Sequence, residues 1–145
     1  MAEASEKPGN IGALLRTADA AKATAVLLAN PKTDVYNPNI IRSSVGTVFT
    51  VPIATGTSAQ IIKFLKTHKV SIYSELLEGA QPYTNFNYTQ PTAIAVGTEA
   101  SGLSTAWKEA CNARIQIPMQ GLVDSLNVSV AAAILLFEAV RQRFN

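Results

Sequence analysis

Three stretches of this sequence set side chains capable of chemistry among glycine-bearing turns. The first is Lys7–Ala20, KPGNIGALLRTADA, where a Pro-Gly-Asn turn opens a helical pattern and Arg16 follows Asn10 by six residues. The second is Val96–Ser104, VGTEASGLS, an apolar run that enters a Gly-flanked loop holding Glu99. The third is Ile115–Val130, IQIPMQGLVDSLNVSV, which runs through Pro118 and Gly121 into a helix entered by way of Ser125 and Asn127. A guanidinium, a carboxylate, two amides and a hydroxyl can together bind a phosphate, orient a sugar hydroxyl and stabilise charge developing on oxygen. Each residue also has a plainer reading. Arg16 can be a solvated helix charge and Glu99 an exposed loop carboxylate. Ser125 can be an N-cap, and Asn127 can satisfy the first helical turn. The glycines can serve turn geometry alone.

Several other chemistries lack their residues. There is no G-x-x-x-x-G-K-[ST] phosphate loop and no G-x-G-x-x-G dinucleotide fingerprint. Cys111 and His68 are the only cysteine and histidine, which rules out an intramolecular disulfide and a structural zinc site of the Cys/His kind. They lie far apart in sequence, which argues against a Cys–His nucleophilic pair. Twelve basic against ten acidic residues give a net charge of +2, too mild to mark a nucleic-acid binder, so any basic patch must be local. An apolar fraction of 48% rules out a disordered chain, and a charged fraction of 15% suggests a surface partly covered by another domain or subunit. No apolar run reaches the roughly 18 residues of a membrane span, and the N-terminal MAEASEKPGN carries no signal-peptide core. The expectation is a soluble, cytoplasmic protein with no membrane partner and no metal.

The elements that must position the three segments alternate along the chain. Apolar or β-branched runs at Val26–Ala29, Thr47–Ile53, Val70–Leu76, Thr92–Val96 and Arg114–Ile117 read as strands. Helical patterns fall between them at Asn10–Lys22, Pro38–Val45, Thr57–Lys69, Leu103–Cys111 and Ser125–Arg143, with possible caps at Thr57 or Ser58 and at Ser104. Gln81–Gln90 reads as a surface loop. In the last helix Ser129, Ala132 and Ala133 allow close approach, while Leu135, Leu136, Phe137 and Val140 supply burial, within the domain or at a subunit interface. The alternation predicts one α/β domain with a mostly parallel sheet buried on both faces by helices. All three segments then fall at carboxyl ends of strands or at helix entries, the edge where open α/β sheets bind ligands.

Taken in order, the segments resemble the SpoU (TrmH-like) branch of the SPOUT superfamily of RNA methyltransferases. The family's first motif ends in N-x-G-A-x-x-R-T-A, here Asn10-Ile11-Gly12-Ala13-Leu14-Leu15-Arg16-Thr17-Ala18. The second, G-x-E-x-x-G-L, is Gly97-Thr98-Glu99-Ala100-Ser101-Gly102-Leu103. The third, I-P-M-x-G-x-V-x-S-L-N-V-S-V-A, runs from Ile117 through Ala131. The resemblance extends from Glu6 onward. It implies a deep trefoil knot near the C-terminus, which spacing alone does not show. It implies S-adenosylmethionine as cofactor, held near Gly97, Ile117 and Leu126 with Met119, Gly102 and Leu103 beside them. It also implies a homodimer whose sites are each completed by the partner chain, and methyl transfer to a ribose 2′-OH of tRNA or rRNA.

By the same resemblance Arg16 is the central catalytic residue. A guanidinium stays protonated, with a pKa above ~12, so its role is read as phosphate binding and stabilisation of a developing alkoxide. Asn10 would orient Arg16 or the ribose, and Glu99 would pair with Arg16 or the partner chain's arginine. Ser125 and Asn127 would contact substrate or hold the cofactor loop. Arg42, before Ser43-Ser44 on a short helix, is a candidate RNA-phosphate contact. The apolar strand that usually precedes the first motif is reduced to Met1–Ala4, and no N-terminal RNA-binding extension is present. Residues 1–145 are therefore read as the methyltransferase domain of a longer protein. Two other classes fit less well: a non-catalytic RNA-binding or assembly module on the same scaffold, which the complete motif set argues against, and a nucleotide-binding oxidoreductase, which the missing G-x-G-x-x-G disfavours.

Overall fold

The computed structural model describes residues 1–144. Seven short strands and five α-helices follow one another in the order β1 (Ala2–Glu3), α1 (Pro8–Ala20), β2 (Val26–Ala29), α2 (Pro38–Ser43), β3 (Ile53–Gly56), α3 (Ser58–Thr67), β4 (Ser71–Glu75), β5 (Gln81–Pro82), β6 (Thr92–Ala95), α4 (Thr105–Ala110), β7 (Ala113–Gln116) and α5 (Val128–Arg143). One parallel sheet has the order β1-β2-β3 and a second has the order β5-β7-β4-β6. β1 joins them: Ala2 bridges in parallel to Val96, and Glu3 N–H donates to the Val96 carbonyl at 3.0 Å. The strands thus form a single layer, β3-β2-β1-β6-β4-β7-β5.

Helices cover both faces, as the apolar strands predicted. Successive strand residues point to opposite sides. Leu28, Ile94 and Val96 join a core with Ile11, Leu14 and Leu15 of α1, Ile40 of α2 and Leu135 of α5. Their neighbours Ala29 and Ala95 face a second core with Ile61 and Leu65 of α3 and Trp107 of α4. Full burial of each such side chain contributes roughly 1.5–3 kcal/mol. Helix starts follow local chemistry. Pro8 occupies the first turn of α1. Thr57 caps α3 in a reciprocal box, its hydroxyl accepting from Gln60 N–H while the Gln60 side chain accepts from Thr57 N–H. Among the described residues no helix is long and apolar enough to cross a membrane.

Three expectations need correction. Thr47–Ile53 is not a strand. Val45 and Gly46 both take left-handed backbone, φ 53° and 83°, which turns the chain out of α2. A 3-10 turn, Thr47–Phe49, follows, with Phe49 N–H donating to Gly46 O and Thr50 N–H to Thr47 O. Those local bonds use the donors a strand would need, Pro52 has none to give, and β3 starts only at Ile53. Gln81–Gln90 is more than a surface loop: Gln81–Pro82 pairs with β7, and Tyr88 is wholly buried. The last helix begins at Val128, with Asn127 rather than Ser125 as its cap.

Candidate active site

At the carboxyl ends of β4 and β6 lies a cleft of about 390 Å3, an ordinary size for a small-molecule site. Its walls are Glu75–Glu78 at the end of β4, Gly97–Leu103 after β6, and Asp124–Leu126 ahead of α5, joined by Val128 and Ala131. Lys108 and Arg114 add positive charge, facing Glu75, Glu78, Glu99 and Asp124 around the same space. A much smaller hollow adjoins it, with Ile117 and Met119 in its wall and Asp124, Ser125 and Leu126 shared. Burial raises the Glu75 carboxyl above its usual pKa.

The loop after β6 folds back on its own strand. A Cβ on Gly97 would lie 2.2 Å from the Gly102 carbonyl carbon and 2.4 Å from Leu103 N, so only glycine fits there. Gly102, at φ +66°, closes the turn by donating its N–H to Thr98 O at 2.8 Å. Leu103 is buried behind it.

Beside the cleft one amide ties the three segments together. Asn127 Nδ2 donates to Glu99 Oε1 at 2.8 Å and to Asn10 Oδ1 at 3.2 Å. Its Oδ1 accepts from Ser129 N–H at 2.9 Å, capping α5. Lys7 Nζ stands 3.5 Å from Glu99 Oε2 in an exposed pair.

Of the residues singled out by sequence, Gly97, Glu99, Gly102, Leu103, Ser125 and Leu126 line the cleft, and Ile117 and Met119 line the adjoining hollow. Asn10, Glu99 and Asn127 form the cluster just described. Arg16 and Arg42 lie outside both. Six residues along a helix carry Arg16 about 240° around the axis from Asn10 and about 9 Å along it, so the two point to different faces. Arg16 is exposed, and among the described residues nothing hydrogen-bonds or ion-pairs with it. The expected pairing of Glu99 with Arg16 is absent within one chain; Glu99 is held by Asn127 and Lys7 instead. Arg42 rides on α2, and its guanidinium is engaged by Asn39. α2 is packed so closely on α1 that a Cβ on Gly12 would collide with the Ser43 side chain. Glu75, Glu78, Lys108, Arg114 and Asp124 also line the cleft, and none of them stands out in the sequence motifs. A usable signal was Glu75, the one charge in the strand-like run Val70–Leu76, at the edge where parallel sheets bind ligands.

The family model of the SpoU rRNA methylase family matches residues 1–137. The chain belongs to this family. It is 36% identical over 144 residues to a 23S rRNA (uridine(2479)-2′-O)-methyltransferase of Streptomyces viridochromogenes, covering 95% of this chain and 50% of that protein. An RNA 2′-O ribose methyltransferase of known structure superposes with a TM-score of 0.93 at 46% identity, over 99% of this chain and 55% of the other. The SpoU methyltransferase AviRb from Streptomyces viridochromogenes, in complex with the cofactor AdoMet, superposes at a TM-score of 0.91 with 33% identity, over 99% of this chain and 59% of the other. The SpoU chain described here thus spans about half the length of the relatives it matches.

Proposed function

We propose that this chain is the catalytic domain of an S-adenosylmethionine-dependent RNA methyltransferase that acts on a ribose 2′-OH of rRNA or tRNA. The observation that carries the reading is the Asn10–Glu99–Asn127 junction standing beside a cleft built from the second and third motifs. The cleft fits the cofactor chemically. It has the volume for a ligand of that size, a glycine position that admits no side chain, and charges of both signs for a ligand carrying a carboxylate, an ammonium and a sulfonium. Gly97, Gly102, Leu103 and Leu126 would hold it, with Ile117 and Met119 alongside. When bound, the cofactor supplies an electrophilic methyl on a good leaving group.

The residues of the chain then do three things. The loop walls exclude water and fix the line of attack, which in well-oriented intramolecular reactions supplies on the order of 7–11 kcal/mol. Glu99, Asn10 and Asn127 form a polar rim that positions the sugar hydroxyl, with Ser125 at the cleft wall. Arg16 binds a backbone phosphate and stabilises the negative charge that develops on the 2′ oxygen as its proton passes to solvent water at the exposed rim. Arg42 is a second phosphate contact.

Because Arg16 stands off the cleft of its own chain, the site is proposed to be completed by Arg16 of the partner subunit in a homodimer. Support comes from exposed apolar residues on α5, Val130 and Phe137, with α5 packed beside α1. The segment between β7 and α5 is proposed to thread the loop after β6, making the trefoil knot. Its support is the path of the chain, from β7 on one side of β4 to α5, which packs against α1 and β6 on the other. Stretching the denatured chain by its ends tests this, and a full unshortened contour length would remove the knot. The relatives' greater length supports reading residues 1–145 as one domain of a longer protein, and an RNA substrate with the unpaired Cys111 supports a cytoplasmic setting.

Arg16→Ala is expected to lower methyl transfer about 100- to 1,000-fold with cofactor affinity nearly unchanged, the size of losing one charge-stabilising donor. Full activity in that variant removes Arg16 from the mechanism. Undetectable cofactor binding by calorimetry at millimolar ligand overturns the reading as a whole. The same stand-off position of Arg16 is what favours the second reading, an RNA-binding module without transfer. RNA binding by the parent chain with no methyl incorporation would establish that reading instead.

A further inference from the structure

Glu3 belongs to none of the three motifs and does not line the cleft, yet it is 6% exposed and held on every side. Its Oε1 accepts from Ser58 Oγ at 2.9 Å and from Ser104 Oγ at 2.5 Å, and its Oε2 accepts from Ser104 N–H at 2.7 Å. Ser58 Oγ in turn accepts from Trp107 Nε1 at 2.9 Å and from Asn30 Nδ2 at 3.2 Å. That leaves the Ser58 hydroxyl only its proton to offer Glu3. Among the described residues no buried side-chain polar atom lacks a partner, and no cation pairs with Glu3. A buried carboxylate held by neutral donors alone contributes little to stability, because its desolvation offsets what the hydrogen bonds return. It does specify geometry, since each partner can satisfy it in only one place.

That place is informative. Ser104 directly follows Leu103, the last residue of the cleft loop, whose other end is held by the Gly97–Gly102 contact. Glu3 itself sits on the strand that leads into α1 and Asn10. We propose that Glu3 is a positioning residue: by pinning Ser104 it sets the Gly97–Leu103 loop against the entry to α1, and so holds both the cofactor wall and the Asn10–Glu99–Asn127 junction. The cofactor part rests on the function proposed above.

The test uses this chain with Glu3→Gln, Glu3→Asp and Ser104→Ala. Glutamine keeps the shape and can still accept from Ser104 N–H, but its NH2 then faces Ser58 Oγ, whose lone pairs are taken by Trp107 and Asn30, so only Ser104 Oγ can accept from it and the Ser58 bond is lost. Calorimetry should show the S-adenosylmethionine Kd of Glu3→Gln raised about tenfold, the worth of one charged hydrogen bond. Steady-state kinetics should show KM for the cofactor raised and kcat lowered by a smaller factor, since the junction that positions the ribose shifts with the loop. Amide exchange should quicken at residues 98–104 and stay slow in β2 and β4. Glu3→Asp, which keeps the charge, should recover part of the affinity. Ser104→Ala removes one of the three bonds and should weaken binding about threefold, so it decides the matter if Glu3→Gln does not fold. Loss of thermal stability with unchanged Kd and unchanged exchange of residues 98–104 overturns the proposal, because a merely structural role predicts that result. If the parent chain binds no cofactor, the function falls while the exchange readout still judges Glu3.

Discussion

Asn127 serves with both ends of one amide. Its carbonyl oxygen caps α5, and its NH2 group holds Glu99 and Asn10. The helix start and the polar cluster therefore cannot be separated by mutation at that position, whereas Gly97 offers a cleaner probe. Gly97→Ala must push the loop away from the strand end, because the added carbon meets backbone rather than a flexible side chain. Its expected effect is a cofactor Kd raised at least about tenfold with far-UV dichroism unchanged, and an affinity within twofold of the parent would show that the close approach does not shape the cleft. Glu75 carries a pH signature. Burial raises its pKa, so a cationic ligand that favours the carboxylate must bind more tightly as pH rises through that raised value. Calorimetry of S-adenosylmethionine from the ordinary carboxylate range up to neutral pH should show affinity rising in the parent and flattening in Glu75→Gln, while equal slopes in the two would show that Glu75 does not carry the dependence. The polar residues of the three motifs were legible in the sequence. The charges that complete the cleft were not, because, Asp124 of the third motif apart, they come from the end of β4 and the turn after it, from α4 and from β7, which the fold alone brings to one edge.

At the scale of elements, the last turn of α5 acts as a clamp on residues 83–90. Gln142 accepts from Tyr88 N–H at 2.8 Å and donates to Phe86 O at 2.9 Å, and Arg143 Nε donates to Tyr88 O at 2.8 Å. Tyr88 is buried edge-on to Tyr73, its hydroxyl donating to Tyr83 O at 2.8 Å. Tyr88→Ala should cost roughly 3–5 kcal/mol and Tyr88→Phe about 1 kcal/mol, measurable by urea unfolding; equal costs would deny the ring its core role. Glu138 adds a charge-based element to the same clamp. Arg141 hydrogen bonds chiefly, with help from Gln142, lower its carboxyl pKa to about 2 against a burial effect of opposite sign. A carboxyl whose folded pKa is depressed stabilises the fold above its unfolded value and loses that contribution as pH falls toward the folded one. The unfolding midpoint should therefore drop more between about pH 5 and pH 2.5 in the parent than in Glu138→Gln. None of this was visible in QPYTNFNYTQ, whose polar surface pattern hides one fully buried tyrosine. Thr47–Ile53 misled in the opposite way: β-branched residues suggested a strand, but two left-handed residues and Pro52 committed the backbone to a turn.

For the whole molecule, the decisive measurement is which subunit supplies Arg16. Arg16→Ala keeps a sound cleft, and Gly97→Ala keeps a sound arginine. If each site is completed by the other chain, mixing the two impaired variants at a cofactor concentration too low to load Gly97→Ala brings activity to about a quarter of parental, since half the dimers are mixed and each has one intact site. No recovery would place Arg16 in its own chain's site. Phe137, expected to supply burial within the domain or at a subunit interface, is 46% exposed in the single chain, and Phe137→Asp should yield monomers by sedimentation together with loss of transfer. What the sequence determined by itself was local. Strand–helix alternation, the Thr57 cap and three ordered motifs depend on neighbours a few positions apart, and they sufficed for an α/β layer and for most polar residues of the candidate site. Only the tertiary structure decided that Asn10, Glu99 and Asn127 share one junction while Arg16 points elsewhere, and that Glu3 is buried against Ser58 and Ser104. Those relations join residues up to 117 positions apart, and they depend on helix phase and strand order, which no local pattern encodes.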